Sequence, residues 1–238
     1  MKYILALDTS TEACSAALLL NDGEQSKEFV EFAVCPREHN KRILSMTESV
    51  LTQAGIQLSD VDLIAYGKGP GSFTGVRIAT GIVQGLALGA DKPAYGVSTL
   101  AAMAHCVYRT QLAHSKPAYV IPAIDARMNE IYLAAYKVTG LGKVESILKE
   151  RVCPPAGALL ELDKQQAWTS VGTGWQTYEQ ELTEQLPTQI YNQQPFPTAL
   201  DIALISAQNA TKAQLEKAAD ISPVYVRDEV TWQKMPGK

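Results

Sequence analysis

The sequence predicts an α/β chain made of two related halves. Short apolar runs of strand length alternate with runs of helix length. One layout occurs twice, at residues 3–20 and 119–138: an apolar strand ending on an aspartate, a short polar turn, and a second apolar strand. The copies lie about half a chain apart, as two structural repeats would. Between them, at 61–89, a strand, a glycine-rich loop and a helix follow one another, which bends the backbone sharply off a sheet.

Residues 3–7 form a continuous apolar run and read as a buried strand, with Asp8 opening a polar turn that ends at Glu12. Residues 13–20 are the second strand, and Asn21-Asp22-Gly23 is a hairpin signal. Residues 24–34 return as a more polar edge strand. A helix follows over 36–54: Ile43, Met46, Val50 and Ala54 make its stripe, Leu44 and Leu51 widen it, and Gly55 ends it. A strand at 61–66 leads into the loop holding Gly67, Gly69, Gly71 and Gly75, then into a helix over 75–89.

In that helix Gly81, Gly85 and Gly89 stand four apart and so line one face. Each glycine costs a helix up to about 1 kcal/mol relative to alanine. Three on one stripe call for compensation by close approach of another helix. Ile78, Ile82, Val83, Leu86 and Leu88 occupy the other faces. Packing against the 36–54 helix is one account. A separate partner is the favoured one, because a helix on a small sheet seldom needs apolar cover all round.

Residues 91–93 are a break, 94–97 a short strand, and Ser98 an N-cap for a helix over 99–109. A domain boundary is placed near 110–117, dividing the chain into 1–110 and 111–238. The second half then reads as strands at 119–125 and 131–138, a polar strand or hairpin at 140–152, a short helix at 156–162 and a strand at 167–171. A loop at Gly172-Thr173-Gly174, a helical stretch at 175–186 and an irregular one at 190–197 follow. Thr198 caps a last helix over 199–217, and this helix and the extended tail are expected to pack back on the first half.

With 46% hydrophobic residues the chain can fill a core. A net charge of -4, with no basic cluster beyond Arg37, Lys41 and Arg42, argues against gripping nucleic acid unaided. The four cysteines form no C-x-x-C pair, and Cys14 and Cys106 read as small core residues. The first apolar run is too short for a signal peptide, and the run 78–90 is too short to span a bilayer. The expectation is a cytoplasmic protein without a membrane partner.

Two features could carry chemistry. Asp8 and Asp125, each at a strand-to-strand turn, match the layout that holds Mg²⁺-phosphate in a cleft. The structural alternative is that both merely cap their turns. The glycine loop lacks the G-x-x-x-x-G-K-[ST] and G-x-G-x-x-G patterns. Even so, Thr9, Lys68, Ser72, Thr74 and Arg77 could contact an anion near the helix N-terminus. Equally, the glycines could only turn the chain while Ser72 or Thr74 caps the helix. His39, His105 and His114 form no zinc-type set, and Ser72 has no identifiable base, so no catalytic or metal residue is assigned.

Ile4-Leu5-Ala6-Leu7-Asp8-Thr9-Ser10 and Gly69-Pro70-Gly71-Ser72-Phe73-Thr74-Gly75-Val76-Arg77-Ile78 closely resemble the TsaB (YeaZ) family. So do Arg37-Glu38-His39, Ala123-Ile124-Asp125-Ala126-Arg127 and Pro223-Val224-Tyr225-Val226-Arg227, and the likeness covers the whole chain. It implies an α/β fold of the actin, sugar-kinase and Hsp70 type (ASKHA), with two RNase H-like domains. It also implies a part in making threonylcarbamoyladenosine on the tRNA adenosine next to the anticodon. The implied role is a non-catalytic relative of the TsaD transferase that binds TsaD, with the TsaE ATPase joining them. Alone it would form a homodimer, and it would touch tRNA only indirectly. It would have no intrinsic cofactor, with ATP or ADP at an interface in the complex. The implied partner interface lies on the first two helices, at Ile43, Met46, Val50, Val76, Ile78, Gly81, Ile82, Gly85 and Gly89. TsaD carries a metal-binding pair of histidines on a helix, whereas here His39 is followed by Asn40 and Lys41 with no second histidine within a turn. A nucleotide-dependent phosphotransferase of the same superfamily, resting on Asp8, Asp125 and the loop, stays open. A glycoprotease-like metallopeptidase has no support in these residues.

Overall fold

Two five-stranded sheets with the same strand order organise the chain. The computed structural model describes residues 2–21, 26–111 and 116–227. In the first sheet β1 (Tyr3–Asp8), β2 (Ala13–Asn21) and β3 (Ser26–Val34) make an antiparallel meander. Helix α1 (His39–Ala54) crosses to β4 (Leu63–Gly67), which pairs parallel with β1. Helix α2 (Phe73–Ala90) then leads to β5 (Ala94–Val97), parallel to β4. The order is β3-β2-β1-β4-β5.

Helix α3 (Thr99–Gln111) joins the halves. Strands β6 (Ala118–Arg127), β7 (Glu130–Gly140) and β8 (Lys143–Cys153) repeat the meander. Then come β9 (Thr169–Val171), α4 (Thr173–Thr177), α5 (Glu179–Gln185), β10 (Gln189–Tyr191) and α6 (Ala199–Asn209). Read from its meander edge, the second sheet runs β8-β7-β6-β9-β10, matching the first strand for strand. The two-half fold expected from the repeated strand, aspartate and turn is therefore present.

Alternation along β1 decides how the layers stack. Leu5 and Leu7 face α1 and α2, while Ile4 and Ala6 face the space between the sheets. Buried on both faces, β1 and β4 need the unbroken apolar runs that their sequences show. Helices α3 and α6 fill the layer between the sheets, in an exchanged arrangement. The last helix of the first half, α3, lies on β6 and β7, whereas the last helix of the second, α6, lies on β1, β2 and β4. Small side chains permit this close stacking: Ala6, Ala17 and Ala65 of the sheet meet Ala199, Ile202 and Ala203 of α6. The outer face of the second sheet is covered by Trp168, Trp175, Leu182 and the turns at 156–162.

Several boundaries differ from expectation. Helix α1 starts at His39, not at 36, and α2 starts two residues earlier than 75, behind Ser72, whose Oγ accepts the Gly75 N–H. Residues 156–162 are turns, not a helix, with Gly157 at φ +74°. The stretch 175–186 is split into α4 and α5, and a strand, β10, occupies part of a stretch expected to be irregular. Helix α6 stops at Asn209, whose Nδ2 donates to Ile205 O and Gly142 O at its end; short 3₁₀ turns at Lys212–Gln214 and Ala218–Asp220 follow. The whole of α2, at 18 residues and a mean hydropathy of 1.2, is long and apolar enough by composition to cross a membrane, whereas the apolar run 78–90 is only its later part. Its Val76, Ala79, Val83 and Ala87 are nonetheless buried in the fold. The hairpin signal at 21–23 in part, His114, and the tail beyond Arg227 lie outside the described residues.

Candidate functional site

The turn after β1 and the glycine loop after β4 press against each other. Ser72 N–H donates to Ser10 O at 2.7 Å, and Thr9 Oγ1 donates to Gly75 O at 2.7 Å. A Cβ added at Gly71 would stand 2.2 Å from Ser10 O, and one at Gly75 would stand 2.1 Å from Thr9 O. Such distances allow no side chain, so these two glycines exist for backbone-to-backbone contact. His39, at the start of α1, donates from Nε2 to Thr11 O at 2.8 Å and holds the same turn from the other side. The space over the β1 turn is thus occupied by the chain itself.

Asp8 lies beneath this contact, 1% exposed. Its Oδ2 accepts the N–H and the hydroxyl of Ser10, and its Oδ1 has no partner among the described residues. Burial pushes the carboxyl up to about 7, and the two Ser10 hydrogen bonds offset only part of that. In the second half Asp125 accepts the Arg127 N–H at 2.9 Å and that arginine's Nη1 at 3.1 Å. Arg127, Met128 and Asn129 all have φ near +60°, making a tight left-handed turn. Neither aspartate presents free oxygens to a shared cleft. Among the described residues no three His, Cys, Asp or Glu side chains could hold a metal ion together.

The six residues named as possible anion contacts are dispersed, with Lys68 part-buried beside Gly96. Asp8 and Thr9 are buried, Ser72 caps α2, and Thr74 is exposed on its first turn. Arg77 lies with its guanidinium 3.3 Å from the Phe73 ring centre and donates from Nε to the Tyr225 hydroxyl at 2.8 Å.

The partner-facing residues divide in the same way. Ile43, Met46 and Val50 of α1 and Val76 of α2 are in the chain's own core. This corrects their assignment to an exposed interface: the stripe that makes α1 amphipathic faces β2 and β3. Ile78 and Ile82 are half-buried against the same core. Gly81, Gly85 and Gly89 are exposed, and among the described residues outside the helix a Cβ built on any of them would meet nothing within 4 Å. Packing against α1 therefore does not explain them. Phe73 and Arg77 continue the same i, i+4 line, giving one exposed ridge from Phe73 to Gly89. Leu88 beside it is 76% exposed, and Leu44 on α1 is also bare.

A model of the family described as "TsaD: tRNA N6-adenosine threonylcarbamoyltransferase" matches residues 33–234. The Escherichia coli K12 "tRNA threonylcarbamoyladenosine biosynthesis protein TsaB" is 42% identical over 99% of both chains. The chain belongs to the TsaB (YeaZ) family. The Haemophilus influenzae Rd TsaB is 44% identical over 99% of this chain and 98% of its own. Among solved structures, YeaZ from Pseudomonas aeruginosa aligns with a TM-score of 0.81 at 39% identity, covering 94% of this chain and all of that one.

Two features of this TsaB-family chain escaped the sequence reading. The second half repeats the glycine contact: a Cβ at Gly172 would stand 2.3 Å from Ala123 O, and Asp125 N–H donates to Thr173 Oγ1 at 3.1 Å. The other is a buried polar cluster between the exchanged helices. Gly142 N–H donates to His105 Nε2 at 2.8 Å, and on the other side of the ring Nδ1 donates to Asp201 at 2.6 Å. Arg109 forks onto both oxygens of that carboxylate, and Thr198 donates to it at 2.5 Å. Burial opposes ionisation of Asp201, but the bonds from His105 and Arg109 outweigh it and hold the carboxyl at about 2. The i, i+4 spacing of His105 and Arg109 was legible; their carboxylate, more than 90 residues away, was not.

Proposed function

We propose that this chain is a non-catalytic scaffold subunit in threonylcarbamoyl transfer to the tRNA adenosine next to the anticodon. It binds the TsaD transferase and the TsaE ATPase, forms a homodimer when alone, and meets tRNA only through those partners. The observation that carries this reading is the ridge of α2. Three glycines cost this helix up to about 3 kcal/mol together relative to alanine, and among the described residues no other part of the chain approaches them. A second helix laid along Gly81, Gly85 and Gly89 would bring two backbones into contact and bury Leu88. Membership of a family named for threonylcarbamoyladenosine biosynthesis supports the pathway.

The glycine loop packed over the β1 turn, with Asp8 buried beneath it, supports the absence of catalysis by this subunit. ATP or ADP would contact it only at an interface completed by a partner, and its place of work would be the cytoplasm. The test is size-exclusion chromatography of the chain with TsaD. Gly85→Leu is expected to abolish the complex while the variant melts no lower than the parent. Retention of the complex by Gly85→Leu would refute the assignment. Calorimetry with Mg²⁺-ATP addresses the phosphotransferase reading: the isolated chain is expected to show no binding that Asp8→Ala removes.

A further inference from the structure

We propose that the cavity at the start of α2 is a binding site for a small aromatic monocarboxylate. The cavity, about 590 Å³, is of a size that takes small organic ligands. Gly71, Phe73 and Arg77 line it from the first half, Tyr132 of β7 from the second, and Tyr225 and Arg227 from the chain's return. Phe73 is 56% exposed and Tyr225 46%, and Val224 beside them is also bare. Three aromatic side chains around one opening favour a flat ring that can stack or meet them edge-on.

Charge selects the other half of the ligand. Arg227 is already neutralised: its Nη2 bonds the Glu130 carboxylate and Ala126 O. Arg77 is not. Its Nε is taken by the Tyr225 hydroxyl and its plane rests on Phe73. Both of its Nη groups have no partner among the described residues. Held in this way, the guanidinium presents a fixed pair of donors, the fork that receives a carboxylate bidentately. One uncompensated charge among the lining residues balances a monoanion, whereas a polyphosphate would bring more negative charge than these walls neutralise. The ligand would touch both halves at once, so its binding would also raise the melting temperature of the whole chain.

The test uses the full chain, with saturation-transfer NMR and calorimetry. Indole-3-acetate is the carboxylate probe, indole-3-acetamide its neutral isostere, and ATP the polyanion. Indole-3-acetate is expected to bind. The amide is expected to bind weaker by on the order of tenfold or more, as is the acid to Arg77→Gln, since each loses a charge-assisted pair. Phe73→Ala should weaken the acid and the amide alike. Absence of transfer to millimolar indole-3-acetate would overturn the proposal. So would equal binding of acid and amide, unchanged binding by an Arg77→Gln chain that melts like the parent, or tighter binding of ATP.

Discussion

Asp8 is a carboxylate whose surroundings favour its protonated form. Its folded value near 7 exceeds the ordinary 3.8, so between these pH values the folded state holds more protons than the unfolded one. Its contribution is therefore largest below about pH 4 and is lost as pH rises to about 7, a change on the order of a few kcal/mol. Asp8→Asn should flatten this slope and melt higher relative to the parent at pH 8 than at pH 5, as calorimetry at the two pH values would show. Asp201 has the opposite sign: its value near 2 gives stability that is present above about pH 4 and lost as pH falls through about 2. Asp201→Ala should cost about 2–4 kcal/mol in denaturant unfolding, because it strands the part-buried Arg109 and takes the partner from the buried His105. Met128→Gly should stabilise by about 1 kcal/mol, relieving a left-handed φ of 57° at an exposed position. That Asp8 ends a strand could be read from the sequence. That its Oδ1 faces no partner could not, because the packing above it comes from residues about 60 positions further on.

The glycines of the loop and those of α2 look alike in sequence, yet they do opposite things. Gly71 and Gly75 are needed because backbone stands about 2 Å from where a Cβ would be, while Gly81, Gly85 and Gly89 face open space. Gly75→Ala should therefore destabilise the chain by more than 2 kcal/mol, by forcing the loop off Thr9 O. Gly81→Ala should stabilise the isolated chain by up to about 1 kcal/mol. Paired melts of the two variants would separate these roles. The period of α2 and its four-residue glycine spacing were fully legible. Which of its apolar residues stay bare was not, since Val76 and Leu88 are equally hydrophobic and only the position of the sheet distinguishes them. The same holds for α1, whose stripe at Ile43, Met46 and Val50 was legible as a face but not as an inward one.

At the scale of the molecule, the duplicated sheets were foreshadowed by the repeated strand, aspartate and turn, and the exchange of α3 and α6 was expected only for the last helix. Helix α3 follows the first sheet in the chain, yet it covers the second. This exchange sets a schedule for synthesis. When Gln111 leaves the ribosome, the first sheet is complete but its inner face, with Ile4, Ala17 and Leu63, has no helix to lie against it. That cover arrives with α6, about a hundred residues later. At ordinary elongation rates the wait is roughly 5–20 s. During that interval the nascent first half shows an apolar sheet to its surroundings, so a ribosome-bound chaperone has a defined target and a defined moment of release.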